Sequence, residues 1–362
     1  MSARKKNSDS ADFTGSKDSL EEALRGVDSL LAAVGLSHGT RSTRPLKKTK
    51  MKSQPALAKR SKPMPIVVRV PAWERYRWLV HGYSTRLGGV SSVYAQGTGQ
   101  GELNLGFTAS DTRENVLRNR EIFLRELLGN EGKAAKKKLH NGEIPLALLR
   151  QIHSGIVYRM DAVELASTTR RGGDGMITNV PGSLLGILTA DCLPVLVADV
   201  RQRVVAAFHA GWRGTAKRIV ERGVGRMQAE FGSKPEDLTA AIGPGIGGCC
   251  YAIGDEVRNE FDSQFAYSNQ LFREVYDSDP IKEKYPLLFM TARAPGHSNL
   301  GPSMHLDLEE ANRRQLLDAG VSAAKIHVLG LCTACHTEHF FSHRGEQGFT
   351  GRMMGVIGIR AH

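Results

Sequence analysis

Apolar residues come in short bursts along most of this chain, and the bursts between Gly186 and Gly214, GILTADCLPVLVADVRQRVVAAFHAGWRG, organise the rest. Ile187–Thr189 and Val195–Val197 flank Cys192, and Val204–Phe208 lead into His209. Short β-branched and apolar runs bounded by Pro194, Asp199 and Gly211 predict buried strands. If the polar turn at residues 199–203 joins neighbouring strands, Cys192 and His209 meet at one edge of a sheet.

The same reading predicts strands at Ile66–Val70, Arg77–Tyr83 and Leu238–Ile242, a strand through His153 in LLRQIHSGIVY, and another after Asp174 in DGMIT. A histidine in such an apolar run is either a satisfied core residue or a ligand. Helical spacing predicts helices over Asp111–Leu128 with Asp111 as cap, Thr215–Phe231, Gly254–Phe261, Leu306–Ala319 and, near the start, Ser19–Val34. Gly243–Cys250 reads as a tight loop and Lys133–Lys138 as a solvated one. Arg86 sits in the glycine turn STRLGGV, which is either an ordinary hairpin with a surface arginine or a fork for an anion. Gly211-Trp212-Arg213-Gly214 opens a helix near His209, making Arg213 and the helix start a second candidate anion site.

Length changes little: 362 residues at 41% hydrophobic composition are enough for a sizeable core. Charge changes more. The net +12 is concentrated in Arg41, Arg44, Lys47, Lys48, Lys50, Lys52, Lys59, Arg60 and Lys62, with no acidic residue from Ser37 to Trp73. That composition predicts a disordered basic extension over 1–64 and one folded domain over 65–362. The extension lacks the interleaved aromatics that stack bases, so a nucleic-acid partner is the lesser reading beside a targeting or plain solvated segment. No apolar run approaches a membrane span and no secretory h-region is present, which predicts a soluble cytoplasmic protein, with nuclear or organellar targeting left open by the extension. Five cysteines, an odd number, do not make a disulfide framework.

Cys332-Thr333-Ala334-Cys335-His336 matches the haem-attachment pattern and, with His339, half of a zinc knuckle. Haem attachment belongs to an export compartment, and a structural zinc of the Cys/His kind needs all its ligands within one short loop. The expectation is that Cys332 and Cys335 are small buried residues at a strand end.

Taken in order, HGYSTRLGGVS, ELNLG, QIHSG, DGMIT, TADCLPVLVAD, AAFHAGWRG, AIGPGIGGCCYAIGDEV, HLDL, FFSHR and TGR resemble the multicopper polyphenol oxidase, or laccase-domain, family. The resemblance covers Pro65 to the C-terminus. It departs at the Gly/Gln-rich residues 97–102, at an insertion over 133–141 and at His343, where a tyrosine is usual. It implies a layered α/β sandwich with central mixed β-sheets and outer helices, and a metal held by His153, Cys192 and His209. Members are described as zinc-dependent purine nucleoside phosphorylases and adenosine deaminases. The resemblance therefore implies nucleosides and phosphate as small-molecule substrates.

The chemistry of those side chains supports the metal independently. Two imidazoles and a thiolate suit Zn²⁺ and leave a fourth position open; Cu²⁺ also accepts such a set. A multicopper oxidase, by contrast, needs clustered histidines, and no two histidines here are separated by a single residue. Phosphorolysis needs an anion site, for which Arg86, Asn104 and Arg213 are the candidates. Deamination needs a carboxylate to move protons, for which Asp191 is the candidate, unless it orients a ligand instead. A metal-free alternative is a cysteine hydrolase with a Cys192–His209 dyad.

Overall fold

The computed structural model describes residues 66–95, 101–129, 146–167, 169–275 and 303–361. The basic extension, the helix expected over 19–34 and the loop at 133–138 lie outside them. In chain order the strands are β1 (Val67–Val68), β2 (Leu79–Ser84), β3 (Leu87–Ser91), β4 (Leu146–Leu148), β5 (Val157–Arg159), β6 (Gly175–Thr178), β7 (Leu184–Thr189), β8 (Leu193–Asp199), β9 (Val204–Ala210), β10 (Leu238–Ile242), β11 (Ala252–Ile253), β12 (Phe272–Val275), β13 (Ser303–Leu306), β14 (Ile326–Val328) and β15 (Met353–Ile359). The helices are α1 (Arg113–Leu128), α2 (Ala162–Ala166), α3 (Trp212–Ala216), α4 (Ile219–Phe231), α5 (Asp255–Gln264) and α6 (Leu308–Asp318).

Alternation along the long strands builds the layers. In β9, Val204, Ala206 and Phe208 pack with Val220, Val224 and Met227 of α4, whereas Val205 and Ala207 pack with Leu185 and Ile187 of β7 and Ile357 of β15. Successive side chains of a strand face opposite ways, so β9 is buried on both faces, between a helix and a second sheet. The outer face of that second sheet carries Val80, Leu184, Met354 and Val356 against Phe123, Leu124 and Leu127 of α1. The result is the expected α/β sandwich. A five-stranded sheet in the order β1-β2-β15-β7-β4 stacks on a six-stranded sheet in the order β14-β10-β8-β9-β6-β5, with α1 outside one and α4 and α6 outside the other. Both sheets are mixed, through the parallel pairs β4–β7, β5–β6 and β10–β14. A three-stranded sheet, β11-β13-β12, completes the fold.

Several local expectations change. The runs on either side of Cys192 belong to different sheets, β7 to the first and β8 to the second, so Cys192 lies on a crossover. His153 is not in a strand. It sits in the loop between β4 and β5 with a left-handed φ of 56°. The cap of α1 is Thr112, whose side chain accepts from Asn115 N, while Asp111 accepts from Asn104 and Ser91 behind it. The helix expected from Thr215 is two helices, because Arg218 takes φ 58° between α3 and α4.

Strand direction then gathers the chemistry. β8 begins, and β9 ends, at the edge where Leu193 pairs with Ala210. β6 begins at the same edge, Gly175 opposite Phe208, and the antiparallel β8–β10 pair brings the end of β10 there as well. Asp174, Cys192, His209 and the loop after Ile242 therefore lie along one rim of the six-stranded sheet. Among the described residues no helix is long and apolar enough to cross a membrane.

Candidate metal centre and active site

His153, Cys192 and His209 come together on that rim, with their ligating atoms all within 4.8 Å of one another. Cys192 Sγ lies 4.0 Å from His153 Nε2, and the two imidazole rings are 4.9 Å apart between centroids. Gly211 makes the approach feasible: a Cβ there would sit 2.7 Å from Cys192 Sγ and 3.3 Å from His153 Cδ2. His209 is buried and His153 is exposed, so the group has a protein side and a solvent side.

Asp174 holds the arrangement and was not singled out from the sequence. Fully buried, its carboxylate accepts from His209 Nδ1 at 2.8 Å, from the backbone N–H of Ile152, His153 and Ser154, and from the Ser154 hydroxyl. Its own carbonyl accepts from His209 N at 2.7 Å. One side chain thus orients His209, leaving Nε2 toward the thiol, and tethers the loop that carries His153. Carboxylates that brace a ligating histidine in this way fix its tautomer and raise its basicity. The only sign in the sequence was the acidic residue opening DGMIT.

The electrostatics follow the geometry. Burial works against ionising Cys192, but the His209 cation and the hydrogen bond from His153 outweigh it and bring the thiol down to about 6. Burial likewise opposes charge on His209, yet the Cys192 thiolate and Asp174 lift it to about 9. Asp174, despite its burial, is held down at about 2 by its hydrogen bonds from His209 and Ser154. Without a metal, the pair rests as thiolate and imidazolium. A soft sulfur and two imidazoles with their ligating atoms this close are a donor set suited to a metal cation.

The other expected residues separate. Arg86 is buried, with ion pairs to Glu102 at 2.6 Å and Glu346 at 3.0 Å and further donation to the carbonyls of Thr337 and Tyr94. Its guanidinium is consumed by the protein and has no donors to spare for phosphate. Asn104 is fully buried and bonds Asp111, Gly106 and Arg352 N, fastening the ELNLG loop to β15. Asp191 adjoins Cys192 but turns away from it. Its carboxylate accepts from Thr333 Oγ1 and Ser342 Oγ, both at 2.7 Å, and from Arg344 N at 2.6 Å. Asp191 thus anchors the C-terminal loop. Arg213 is exposed over the Trp212 ring. Arg344 is exposed over the ring of Tyr251, and was not noticed in FFSHR. Burial first, and then the Cys192 thiolate, push the Tyr251 phenol well up, and Arg344 and Arg213 oppose that shift, so the two cations and the tyrosine share the field of the triad.

Comparisons with known proteins identify the family of the chain. A family model described as multi-copper polyphenol oxidoreductase laccase matches residues 80–360. Purine nucleoside phosphorylase YlmD of Geobacillus stearothermophilus is 31% identical over 289 residues, covering 78% of this chain and 94% of the relative. A purine nucleoside phosphorylase of Deinococcus radiodurans is 35% identical over 280 residues, 77% of this chain and 88% of that one. The crystal structure of YlmD from Geobacillus stearothermophilus matches with a TM-score of 0.64 at 29% identity, covering 83% of this chain and 98% of the other.

Proposed function

Because the chain belongs to the multi-copper polyphenol oxidoreductase laccase family, we propose that it is a zinc-dependent purine nucleoside phosphorylase, with deamination of adenosine as a second activity of the same site. The observation that carries this reading is the convergence of His153, Cys192 and His209 on the Asp174 brace. The relatives' names supply the substrate class, a purine nucleoside with phosphate, within which adenosine and inosine are the nucleosides of this proposal. The oxidase wording in the family description finds less support. Among the described residues, the groups of ligating side chains are this one and a set of cysteines, and neither is the histidine cluster that several coppers need.

In phosphorolysis a phosphate oxygen bonds to C1′ of the ribose as the bond from C1′ to the purine nitrogen breaks, and the departing base takes up a proton. His153, Cys192 and His209 would hold the zinc ion, which would supply Lewis acidity. The chain's own residues do the rest. Asp174 keeps His209 Nδ1 protonated and its ring aimed, so the donor set is preorganised. Arg213, over the Trp212 ring, and Arg344, over the Tyr251 ring, are the cations that hold phosphate in this reading, replacing Arg86. Tyr251, its phenol kept protonated, is a hydrogen-bond donor within the field of Cys192.

Incubation of the pure protein with adenosine and inosine, with and without phosphate, tests the reading. Adenine and hypoxanthine should appear only with phosphate, and inosine should form from adenosine without it. Both activities should be lost in His209→Ala. Fully metallated protein that turns over no purine nucleoside would defeat the assignment. The ion pair between Cys192 and His209, braced by Asp174, favours one second reading, a cysteine hydrolase. Iodoacetamide separates the two, since a metal-held thiolate is protected and a free nucleophile reacts.

A further inference from the structure

Strands β10 and β14 are parallel neighbours, with Ala240 opposite Ile326 and Ile242 opposite Val328, so the segments that follow them leave the same edge side by side. One is the loop Gly243–Cys250. The other is the C-terminal loop beginning at Leu329. Backbone bonds lace them together: Leu329 N donates to Ile242 O, Gly245 N to Leu331 O and Thr333 N to Gly245 O. This register brings the adjacent pair Cys249-Cys250 against Cys332 and Cys335, although more than 80 residues separate them in sequence (|i−j| of 85 for Cys250 and Cys335).

The sulfurs of Cys249, Cys250, Cys332 and Cys335 all lie within 4.8 Å of one another. Cys335 Sγ is 3.4 Å from Cys249 Sγ and 3.3 Å from Cys250 Sγ. Neither distance is a disulfide, which requires about 2.05 Å, and a sulfur equally close to two others belongs to a cluster, not to a pair. Tetrahedral Zn²⁺ with bonds of about 2.3 Å spaces its sulfurs about 3.8 Å apart, within the range seen here. Gly247 N donates to Cys332 Sγ at 3.3 Å, the kind of support that thiolate ligands receive. A Cβ on Gly247 would sit 3.2 Å from Cys249 Sγ and 3.5 Å from Cys332 Sγ, so the glycine gives the sulfurs room to close.

We propose that Cys249, Cys250, Cys332 and Cys335 form a second, structural metal site that binds one Zn²⁺ through four thiolates, separate from the His153–Cys192–His209 centre. Binding releases the thiol protons to solvent and leaves no ligand position open, so the ion is a clasp and not a reagent. Its place in the fold gives the clasp a purpose. The C-terminal loop it holds carries Thr333, Ser342 and Arg344, which bind Asp191 beside Cys192, and the other loop donates from Ile246 N to Asp191 O. His336 and His339, the histidines of the knuckle-like pattern, face Glu338.

Metal analysis of the full chain reconstituted with Zn²⁺ and freed of excess ion tests this without reference to turnover. Wild type should hold two equivalents, Cys192→Ala one, and Cys335→Ser one. With Co²⁺ in place of zinc, the intense thiolate-to-metal absorption of a four-sulfur site should survive Cys192→Ala and be lost in Cys335→Ser. If Cys335→Ser does not fold, alkylation of native wild type decides: with zinc all four cysteines resist iodoacetamide, and a chelator exposes them. One equivalent in wild type with these cysteines alkylated, iron with acid-labile sulfide, or disulfides among them after purification under reducing conditions would each overturn the proposal.

Discussion

Asp174 has more work than any ligand at the site, and it was the least legible in the sequence. Cys192 and His209 stood out because each closes an apolar run of a chemically telling kind. The role of Asp174 depends on the parallel β5–β6 register and on the left-handed turn at His153, neither of which a local pattern contains. Asp174→Asn keeps the shape and removes the charge. In chelator-treated protein, peptide-resolved iodoacetamide labelling of Cys192 should have its midpoint near pH 6 in wild type and move toward the ordinary value of about 8.5 in the variant. Metal affinity should fall roughly 10–100-fold. The signs are opposite for the two partners. Cys192, held low, stabilises the metal-free fold above its unfolded pKa and loses that contribution as pH falls through about 6; His209, held high, contributes below its unfolded pKa and loses it as pH rises through about 9. An unchanged labelling midpoint in Asp174→Asn would show that the brace does not govern the thiol.

At the scale of elements, periodicity located strands well but not the sheets they join. Leu238–Ile242 matches β10 to the residue, whereas the strands around Cys192 look continuous in pattern and are divided between two sheets. The stretch read as a glycine turn shows the same limit, its glycines lying within β3. STRLGGV carries an arginine among glycines, and nothing nearby says that its partners are Glu102 and Glu346, 16 and 260 residues away. Those contacts make Arg86 the pin between the β2–β3 turn and the C-terminal loop. With about 5% of its side chain exposed, its loss leaves two carboxylates facing each other in the interior. Breaking a buried pair by removing one partner costs about 3–5 kcal/mol. Arg86→Ala should therefore lower the unfolding free energy obtained from denaturant melts by an amount of that order, and whatever folded fraction remains should keep its KM for phosphate. A stable Arg86→Ala protein with a selectively raised phosphate KM would restore Arg86 to the anion site.

For the whole molecule, the ordered set of motifs carried the family and with it the sandwich, and DGMIT, TADCLPVLVAD and AAFHAGWRG meet along the shared rim. Meeting of the cysteines from 249–250 and 332–335 was illegible for a topological reason: the parallel β10–β14 pair makes neighbours of segments that no spacing rule relates. Charge, by contrast, is legible from the sequence alone. The net +12 is weighted to residues 41–62, while the hydrophobic clusters that hold the described fold start at Val67. Stability and electrostatic attraction are therefore assigned to different parts of the chain. Deletion of residues 1–63 should leave the thermal midpoint and purine nucleoside turnover unchanged. Any RNA binding by the full chain should be steeply salt-dependent and should disappear in the truncated protein, because contacts of clustered Lys and Arg with phosphates draw their affinity from released counterions. Filter binding across a salt series, run beside the nucleoside assay, measures both. If turnover is lost with the segment, the catalytic unit extends beyond the sandwich; if RNA binding survives truncation, the folded domain itself presents the nucleic-acid surface.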